Sequence, residues 1–520
     1  MKRRSAERPS RRRARPRPKR AAESVQFFPN DPDALTGLVP VTPLPRALGD
    51  PPYVIEGRRY APAPYAPGTL AFQYWQGEIA LARTIRVWED LFDRDFSAWE
   101  SGRPLLVRLR AGRDLNAFYD RAGLQFFYDV DRKTGRTVYA VESLDIVAHE
   151  AGHAVLDVYQ PGYWSSVDLE TASFHEAFGD CSALLTTLTD PAVRGAFLDE
   201  TKGSLRKSNL VSKLAEALGR ALYDNYGPGS VGDPTRLRDA NNSFRYADPE
   251  RLPTSGPDDT LAAEPHSFSR VFTGAFYDAL IWLVARELKR EPSEAALERA
   301  RRLAGRILGR AVETLPPGDA RFATVAARMR EIDQTEEGGV ASAGIEESFA
   351  RHGIRLPALA VSRRNQARPS AYRALRALDP DRPGGVAALR AALRVSPGAR
   401  IERTSLPARI GGGIREQFIH RDAIEVRDRS LGRLSGVVVR IHCGCTLTRG
   451  PSGDVEGASL APHPHPTPAQ VARQLKRWLA LDAIEIPGRG APAHSSRDLF
   501  RDRKPFRVTS ARRLERVYLD

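Results

Sequence analysis

Two histidines and a glutamate at helical spacing are the first candidates for chemistry in this sequence. The stretch DIVAHEAGHAVLD, residues 145–157, contains His149, Glu150 and His153. On a helix, residues four apart project from one face about one turn apart, which suits two ligands of a tetrahedral zinc ion. Glu150 could then reach a water on that ion and take its proton. An ordinary helix with two histidines is the alternative, because short motifs also match by chance.

A third ligand separates a metal site from a chance match. A His-x-x-Gly-x-x-His continuation is excluded, because Leu156 and Tyr159 stand at its Gly and last His positions. An ATP-driven membrane protease needs a Gly-Lys phosphate loop, and the sequence has no Gly-Lys dipeptide. The stretch FHEAFGD offers Glu176 as the third ligand, with Asp180 one turn later to accept the free ring N–H of a ligand histidine. A His-His-Glu set leaves the fourth zinc position open for water, whereas the alternative for both carboxylates is an exposed helix face.

The elements that must position these residues indicate an α+β chain. Short apolar runs such as RPLLVRLRAG, and the pair LNAFYD and LQFFYDVD, predict strands before the first histidine helix. Helical spacing dominates later, and the last part mixes strands such as GVVVRIHCGCTL with a helix. The predicted organisation is a disordered basic tail (1–25), a proline-rich linker (26–68), a strand-rich lobe with the histidine helix (69–190), a helical lobe (191–355) and an α+β domain of unknown role (356–520).

Positive charge is concentrated at the beginning of the chain. Of the net charge of +15, the first twenty residues hold eleven Lys/Arg against one Glu. Such a tail could contact nucleic acid or an anionic surface through phosphates, and a solvated tail is the alternative.

The location of the protein is predicted from what the sequence lacks. No apolar segment follows the basic start, so we predict no signal peptide and expect a cytoplasmic protein. Secretion is the alternative if the true start lies upstream or export is non-classical. No run of about 18 apolar residues predicts a membrane span. Cys181, Cys443 and Cys445 are too few for a disulfide framework, and the last two are expected as a reduced pair in a strand.

Four stretches, in the same order as in the family, resemble the thermolysin-like neutral zinc metallopeptidases of the gluzincin group. They are LNAFYDRAGLQFF, DIVAHEAGHAVLD, ASFHEAFGDCSALL and EPHSFSRVFTGAFYDAL, and RLRDANNSFRYADPERLPTSG is a weaker fifth match. The resemblance covers roughly residues 70–350. It implies a two-lobed core, one catalytic zinc ion held by His149, His153 and Glu176, and hydrolysis of peptide or protein substrates with Glu150 as general base.

The resemblance also implies roles for residues outside the two ligand helices. His266 would be the proton donor that stabilises the oxyanion, and Arg238 would hold the substrate carbonyl. Asn116 and Ala117 would pair with the substrate backbone as an edge strand. Each has a simpler reading: His266 as a loop histidine before a helix, Arg238 as one of many arginines, and Asn116 as a turn residue.

The sequence departs from the family at several points. The loop between the two ligand helices is longer, so the oxyanion tyrosine is hard to place; Tyr163 is the candidate and Tyr159 a rival. His175 stands where the family usually has Asn before the third ligand. The acidic cluster that holds calcium is mostly absent, and Asp145 alone offers too few oxygens, so no calcium is predicted.

Two further readings of the whole chain stay open. The first is an inactive or gated protein of this fold that binds a partner. The second, an aminopeptidase, is less well supported, because the sequence shows no acidic motif for a free amino terminus. The proline-rich stretch HPHP, residues 463–466, could be a weak metal site or simply a loop.

Overall fold

The computed structural model describes residues 24–43, 52–92, 96, 98–202, 204–228, 231–357, 376–407, 414–460, 465–486 and 504–519. The predicted basic tail lies almost wholly outside these residues, and so does the first half of the HPHP stretch. The described part of the chain is mixed α+β, as predicted.

Eleven α-helices in the described residues make up the larger share of the regular secondary structure. They are α1 (Leu70–Phe92), α2 (Leu144–Tyr159), α3 (Leu169–Thr187), α4 (Pro191–Thr201), α5 (Glu216–Tyr226), α6 (Pro265–Arg290), α7 (Glu294–Thr314), α8 (Phe322–Glu336), α9 (Ser342–Arg351), α10 (Gly385–Ala392) and α11 (Pro468–Ala480).

The strands are short in the first half of the chain and longer in the last third. They are β1 (Val25–Phe27), β2 (Val39–Val41), β3 (Tyr53–Ile55), β4 (Leu105–Arg108), β5 (Ala117–Tyr119), β6 (Gly123–Phe126), β7 (Tyr128–Val130), β8 (Thr137–Tyr139), β9 (Lys213–Leu214), β10 (Arg238–Asp239), β11 (Glu402–Pro407), β12 (Ile414–Val426), β13 (Val437–Arg449), β14 (Val455–Leu460), β15 (Ile484–Glu485), β16 (Phe506–Val508) and β17 (Arg513–Arg516).

A four-stranded sheet in the order β3-β4-β6-β5 precedes the helix with the two histidines. The strands β3, β4 and β6 are parallel, and β5 pairs antiparallel with β6, as predicted for LNAFYD and LQFFYDVD. Within this sheet β5 is an edge strand. Its position is tied to α2 through Asp157, which accepts hydrogen bonds from the Tyr119 hydroxyl (3.0 Å) and from Arg121 (2.6 Å).

The helices α2 and α3 pack closely in the main apolar core because small residues lie between them. A Cβ placed on Gly152 of α2 would lie 2.8 Å from the Cβ of Ser182 on α3, so only glycine fits this approach. The Ser182 hydroxyl donates to the carbonyl of Ala148 (2.8 Å) and accepts from Trp88 of α1 (2.9 Å). These bonds satisfy polar groups in a dry interior and fix the register of the two helices.

The range 26–68, predicted as a proline-rich linker, contains two segments that belong to the folded core. Residues 24–43 pack on the core: Phe27 is fully buried, and the Phe28 N–H donates to Gln76 of α1 (2.9 Å). The segment around Tyr53 forms the first strand of the four-stranded sheet. Burial of aromatic side chains here outweighs the local preference of proline for extended loops.

The part of the chain beyond residue 376 forms its own sheet and smaller cores. Its strands follow the order β11-β12-β13-β17-β16-β15, with β14 also paired to β13. Cys443 and Cys445 are free and buried in β13, as predicted. Trp478 of α11 donates to the carbonyl of Val167, just before α3 (2.8 Å), and Arg415 of β12 forms an ion pair with Glu313 of α7. These contacts attach this part of the chain to the helices before it.

The helix α6 is long and apolar enough to cross a membrane by length and composition. Most of it is buried in the core, and core helices of soluble proteins pass the same test, so this is weak evidence for a membrane span.

Candidate metal centre

The three predicted ligand residues lie together between α2 and α3. The Nε2 atom of His149 is 3.4 Å from Oε2 of Glu176, and Nε2 of His153 is 3.7 Å from its Oε1. All three side chains are buried. Residues four apart on α2 therefore present two imidazole nitrogens to one carboxylate of the neighbouring helix.

Asp180 holds the ring of His149 from behind. Its Oδ1 is 3.1 Å from His149 Nδ1, and its Oδ2 accepts a hydrogen bond from the Thr273 hydroxyl of α6 (3.0 Å). Burial alone would raise the pKa of Asp180, but Arg238 and His149 outweigh burial and lower it. A carboxylate in this position fixes the ring tautomer, leaving Nε2 to act as a ligand.

His175 contacts the Nδ1 atom of His153, as Asp180 contacts the Nδ1 atom of His149. The two Nδ1 atoms are 3.3 Å apart, so one ring donates to the other. If His153 is to present a lone pair on Nε2, its Nδ1 carries the hydrogen and His175 accepts it. Burial, together with the positive charge of nearby groups, lowers the pKa of both rings, so both are neutral at neutral pH.

The residues present fit a divalent metal ion with nitrogen and oxygen ligands. His153 Nε2 is fully buried and has no hydrogen-bond partner among the described residues. Such an atom is costly to bury unless something binds it. Burial opposes the charged form of His149, but its bonds to Asp180 and Glu176 raise its pKa to about 9, and a metal ion would compete with that proton.

A cleft of about 420 Å³ opens beside these ligands. Its lining includes His149 and Glu150 from α2, together with Asn116 and Ala117 at the start of β5. Glu150 is 4% exposed, so its carboxylate acts in a largely dry environment. The cleft therefore places a carboxylate, a ligand histidine and an edge strand around one space.

His266 lies at the beginning of α6 and contacts the ligand carboxylate. Its Nε2 is 3.2 Å from Glu176 Oε2, and its Nδ1 is 2.8 Å from Oε1 of Glu264, which also caps the helix. Burial would lower the pKa of His266, but Glu176 and Glu264 outweigh burial and raise it to about 10. Its side chain keeps 37% of its surface exposed, and the ring lines the cleft.

Arg238 on β10 also lines the cleft. Its Nη2 is 3.1 Å from Asp180 Oδ1 and 3.4 Å from His149 Nδ1. Its buried Nε has no hydrogen-bond partner among the described residues. The planar fork is thus held beside the cleft by Asp180.

The structure contradicts the oxyanion role predicted for Tyr163. Its hydroxyl is buried and donates to the carbonyl of Pro316 (3.2 Å), and Tyr163 is not among the residues lining the cleft. The rival Tyr159 does not line it either, and its ring stacks on Phe92 with a centroid distance of 3.9 Å. Both tyrosines belong to the main apolar core.

Three residues of the site were missed by the sequence analysis. Glu264 and Thr273 have no motif of their own, although Glu264 directly precedes Pro-His in EPHSF. Gly179 is essential for close packing, since a Cβ there would lie 2.7 Å from the His149 ring. The glycine of FHEAFGD was a readable signal, because glycine inside a helix usually marks a close approach.

A scan against protein-family models finds none that matches this chain, and a search of curated proteins finds no matching relative.

Proposed function

We propose that this chain is a zinc-dependent endopeptidase with the two-lobed fold of the thermolysin-like metallopeptidases. The observation that carries the proposal is the convergence of His149, His153 and Glu176 beside a cleft bordered by an edge strand. Two imidazoles and one carboxylate are the ligand set of catalytic zinc sites, which keep a position open, rather than of closed structural sites.

The chemistry at this site divides between the metal and the protein. Zinc held by the three ligands would supply a Lewis acid and lower the pKa of a water in the cleft. Glu150 accepts the proton of the attacking water and passes it to the departing amine. Its burial beside His149 keeps bulk water away from that transfer.

Two cations face the charge that develops on the substrate. The imidazolium of His266 stabilises the oxyanion of the tetrahedral intermediate. Arg238, which lines the cleft, donates from its guanidinium to a neighbouring peptide carbonyl. Both residues are held in place by carboxylates, His266 by the half-buried Glu264 and Arg238 by the buried Asp180.

The substrate class follows from the edge of β5. Asn116 and Ala117 border the cleft, and an extended peptide can add to this edge through backbone hydrogen bonds. Recognition through the backbone favours unfolded proteins and flexible peptides over any one sequence.

The test is cleavage of an unfolded protein by the full chain, run beside Glu150→Gln and Glu56→Gln. Glu56 is exposed and does not line the cleft, so it controls for the loss of one carboxylate. Zinc content is measured and matched in all three proteins. We expect cleavage by the native chain and Glu56→Gln, and a loss of at least about a hundredfold for Glu150→Gln.

The outcomes separate catalysis from binding. Equal cleavage by Glu150→Gln would assign the activity to a contaminant or to another base. No cleavage by any of the three, with zinc bound, would refute the endopeptidase and favour a metal-holding fold that binds a partner.

A further inference from the structure

The last described residues of the chain lie on the edge strand beside the cleft. The Leu519 N–H donates to the carbonyl of Tyr119 (2.8 Å), and the Tyr119 N–H donates to the carbonyl of Leu519 (3.0 Å). This reciprocal pair is the unit of an antiparallel ladder, here formed between residues 400 positions apart in the sequence.

Buried side chains hold this segment in place. Leu519 is 3% exposed and belongs to the main core, and the ring of Tyr518 lies 5.1 Å from the ring of Phe118. Upstream, Arg516 donates to the carbonyls of Trp164 (2.7 Å) and Ser166 (3.2 Å). We call residues 516–519 the clasp.

The clasp uses the same edge as the proposed substrate. In a strand, residues two apart present their N–H and C=O groups on the same side, so Tyr119 and Ala117 share one edge. Ala117 lines the cleft with Glu150. Leu519 lies opposite Tyr119, and because the pairing is antiparallel the earlier residues of the clasp lie beyond Tyr119, away from Ala117. A peptide that pairs with Ala117 and extends along this edge therefore meets the clasp at Tyr119. One edge accepts one partner strand at a time.

We propose that the clasp is an intramolecular occupant of the peptide track along β5, which a substrate must displace at Tyr119. The inference rests on the proposed function, and it adds a means of regulating the peptidase activity and a preference for particular substrate side chains. The side chains of the clasp show what the track accepts: an aromatic residue against Phe118, followed by a buried aliphatic residue. A tethered strand competes at a high effective concentration, so it raises the apparent KM more than it changes kcat.

The first test is Leu519→Pro in the full chain, which removes the N–H donated to Tyr119 and keeps an apolar side chain. Leu519→Met retains the donor and is the matched control. We expect Leu519→Pro to lower KM on an unfolded protein by about tenfold with kcat within about twofold, and the control to match the native chain. Amide exchange at Tyr119 should accelerate in Leu519→Pro alone.

Two results would overturn the proposal. One is faster exchange at Tyr119 with KM unchanged or higher, which would make the clasp a purely structural contact. The other is an unchanged KM in Tyr518→Ala, a second variant that removes the contact with Phe118 without changing the backbone.

A binding measurement keeps this inference separate from the proposed function. The probe is a labelled peptide with the sequence ERVYL, residues 515–519, titrated into chains that also carry Glu150→Gln. Tighter binding to Leu519→Pro than to Leu519→Met supports the track even if no chain hydrolyses protein. Equal binding to both refutes the track whether or not hydrolysis occurs.

A second, independent cluster lies in the last third of the chain. His420 and Asp422 are two apart on β12, on one face, and His465 approaches them just before α11. His465 Nε2 is 3.0 Å and His420 Nε2 is 3.9 Å from Asp422 Oδ2. Ligand atoms around tetrahedral zinc are separated by about 3.3 Å, given bonds of about 2.0 Å.

The side chains of His420 and Asp422 are each oriented by a hydrogen bond to a backbone group outside the cluster. His420 Nδ1 donates to the carbonyl of Arg400 (2.9 Å), which leaves its Nε2 lone pair toward Asp422. Asp422 Oδ1 accepts from the Ala423 N–H (2.7 Å), which leaves Oδ2 toward the histidines. Such outer contacts are typical of metal ligands.

We infer that His420, Asp422 and His465 bind a second divalent ion of the zinc class. Equilibrium dialysis of the full chain against zinc should give two ions per native chain and one in His465→Ala or Asp422→Asn. His442→Ala removes a histidine outside the cluster and should still give two. One ion in the native chain, or two in both cluster variants, refutes this site independently of any activity.

Discussion

Replacing Gly179 with alanine should weaken zinc binding without unfolding the chain. The helices α2 and α3 approach so closely that a Cβ at this position would lie 2.7 Å from both Cε1 and Nδ1 of the His149 ring. Unbonded carbon atoms prefer about 3.5–4.0 Å. The backbone of α3 is packed in the core and cannot move easily, so the His149 ring must shift away from the new Cβ by about 1 Å.

A shift of this size has a calculable effect on the ligand. The bond from His149 Nδ1 to Asp180 is 3.1 Å long, so a displacement of about 1 Å breaks it. Loss of such an outer partner usually costs about 10- to 100-fold in metal affinity, or about 1.4–2.7 kcal/mol. In stability, overpacking costs about 1–3 kcal/mol, whereas alanine gains about 1 kcal/mol over glycine inside a helix.

The assay is competition for zinc against a chromophoric chelator, with a thermal melt of each metal-free protein. Gly195→Ala is the control, because a Cβ there meets only Glu294 of α7 at 3.4 Å. It should gain stability and bind zinc as the native chain does. If Gly179→Ala keeps its zinc affinity within about threefold of native, the argument that His149 is a packed, oriented ligand is wrong.

Three further predictions concern groups around the cleft and in the core. Replacing His175 with phenylalanine removes the partner of His153 and should lower zinc affinity about 10- to 100-fold, measured by the same competition. Burial, with neighbouring carboxyls, raises the pKa of Glu216 from 4.5 to about 9. The free energy of unfolding is therefore unaffected by this carboxyl below about pH 4.5 and falls as pH rises from there to about 9, so Glu216→Gln should stabilise the chain more in mildly alkaline than in acidic denaturant titrations. Because Glu264 helps to raise the pKa of His266, Glu264→Gln should move the alkaline limb of the pH–rate profile to lower pH.

Each of these has a result that would contradict it. Unchanged zinc affinity in His175→Phe would mean that the second imidazole does not orient the first. A stabilisation by Glu216→Gln that is equal at all pH values would mean that the carboxyl is not protonated by burial. An alkaline limb that stays in place in Glu264→Gln would assign that titration to a group other than His266.

The sequence by itself determined the local geometry of the ligand helices. The spacing of four between His149 and His153, and between Glu176 and Asp180, places each pair on one helix face whatever the rest of the chain does. The same holds for the hairpin strands β5 and β6 and for the buried cysteine pair in β13, because alternation and periodicity are properties of neighbouring residues.

Only the tertiary structure decided how distant segments meet. It buried Tyr163 against Pro316, set His175 behind His153, and folded the residues around Phe27 onto α1 instead of leaving a linker. It also brought Leu519 to the edge of β5. These contacts depend on which surfaces pack together and on the paths of the loops. Neither can be predicted from the spacing of neighbouring residues in the sequence.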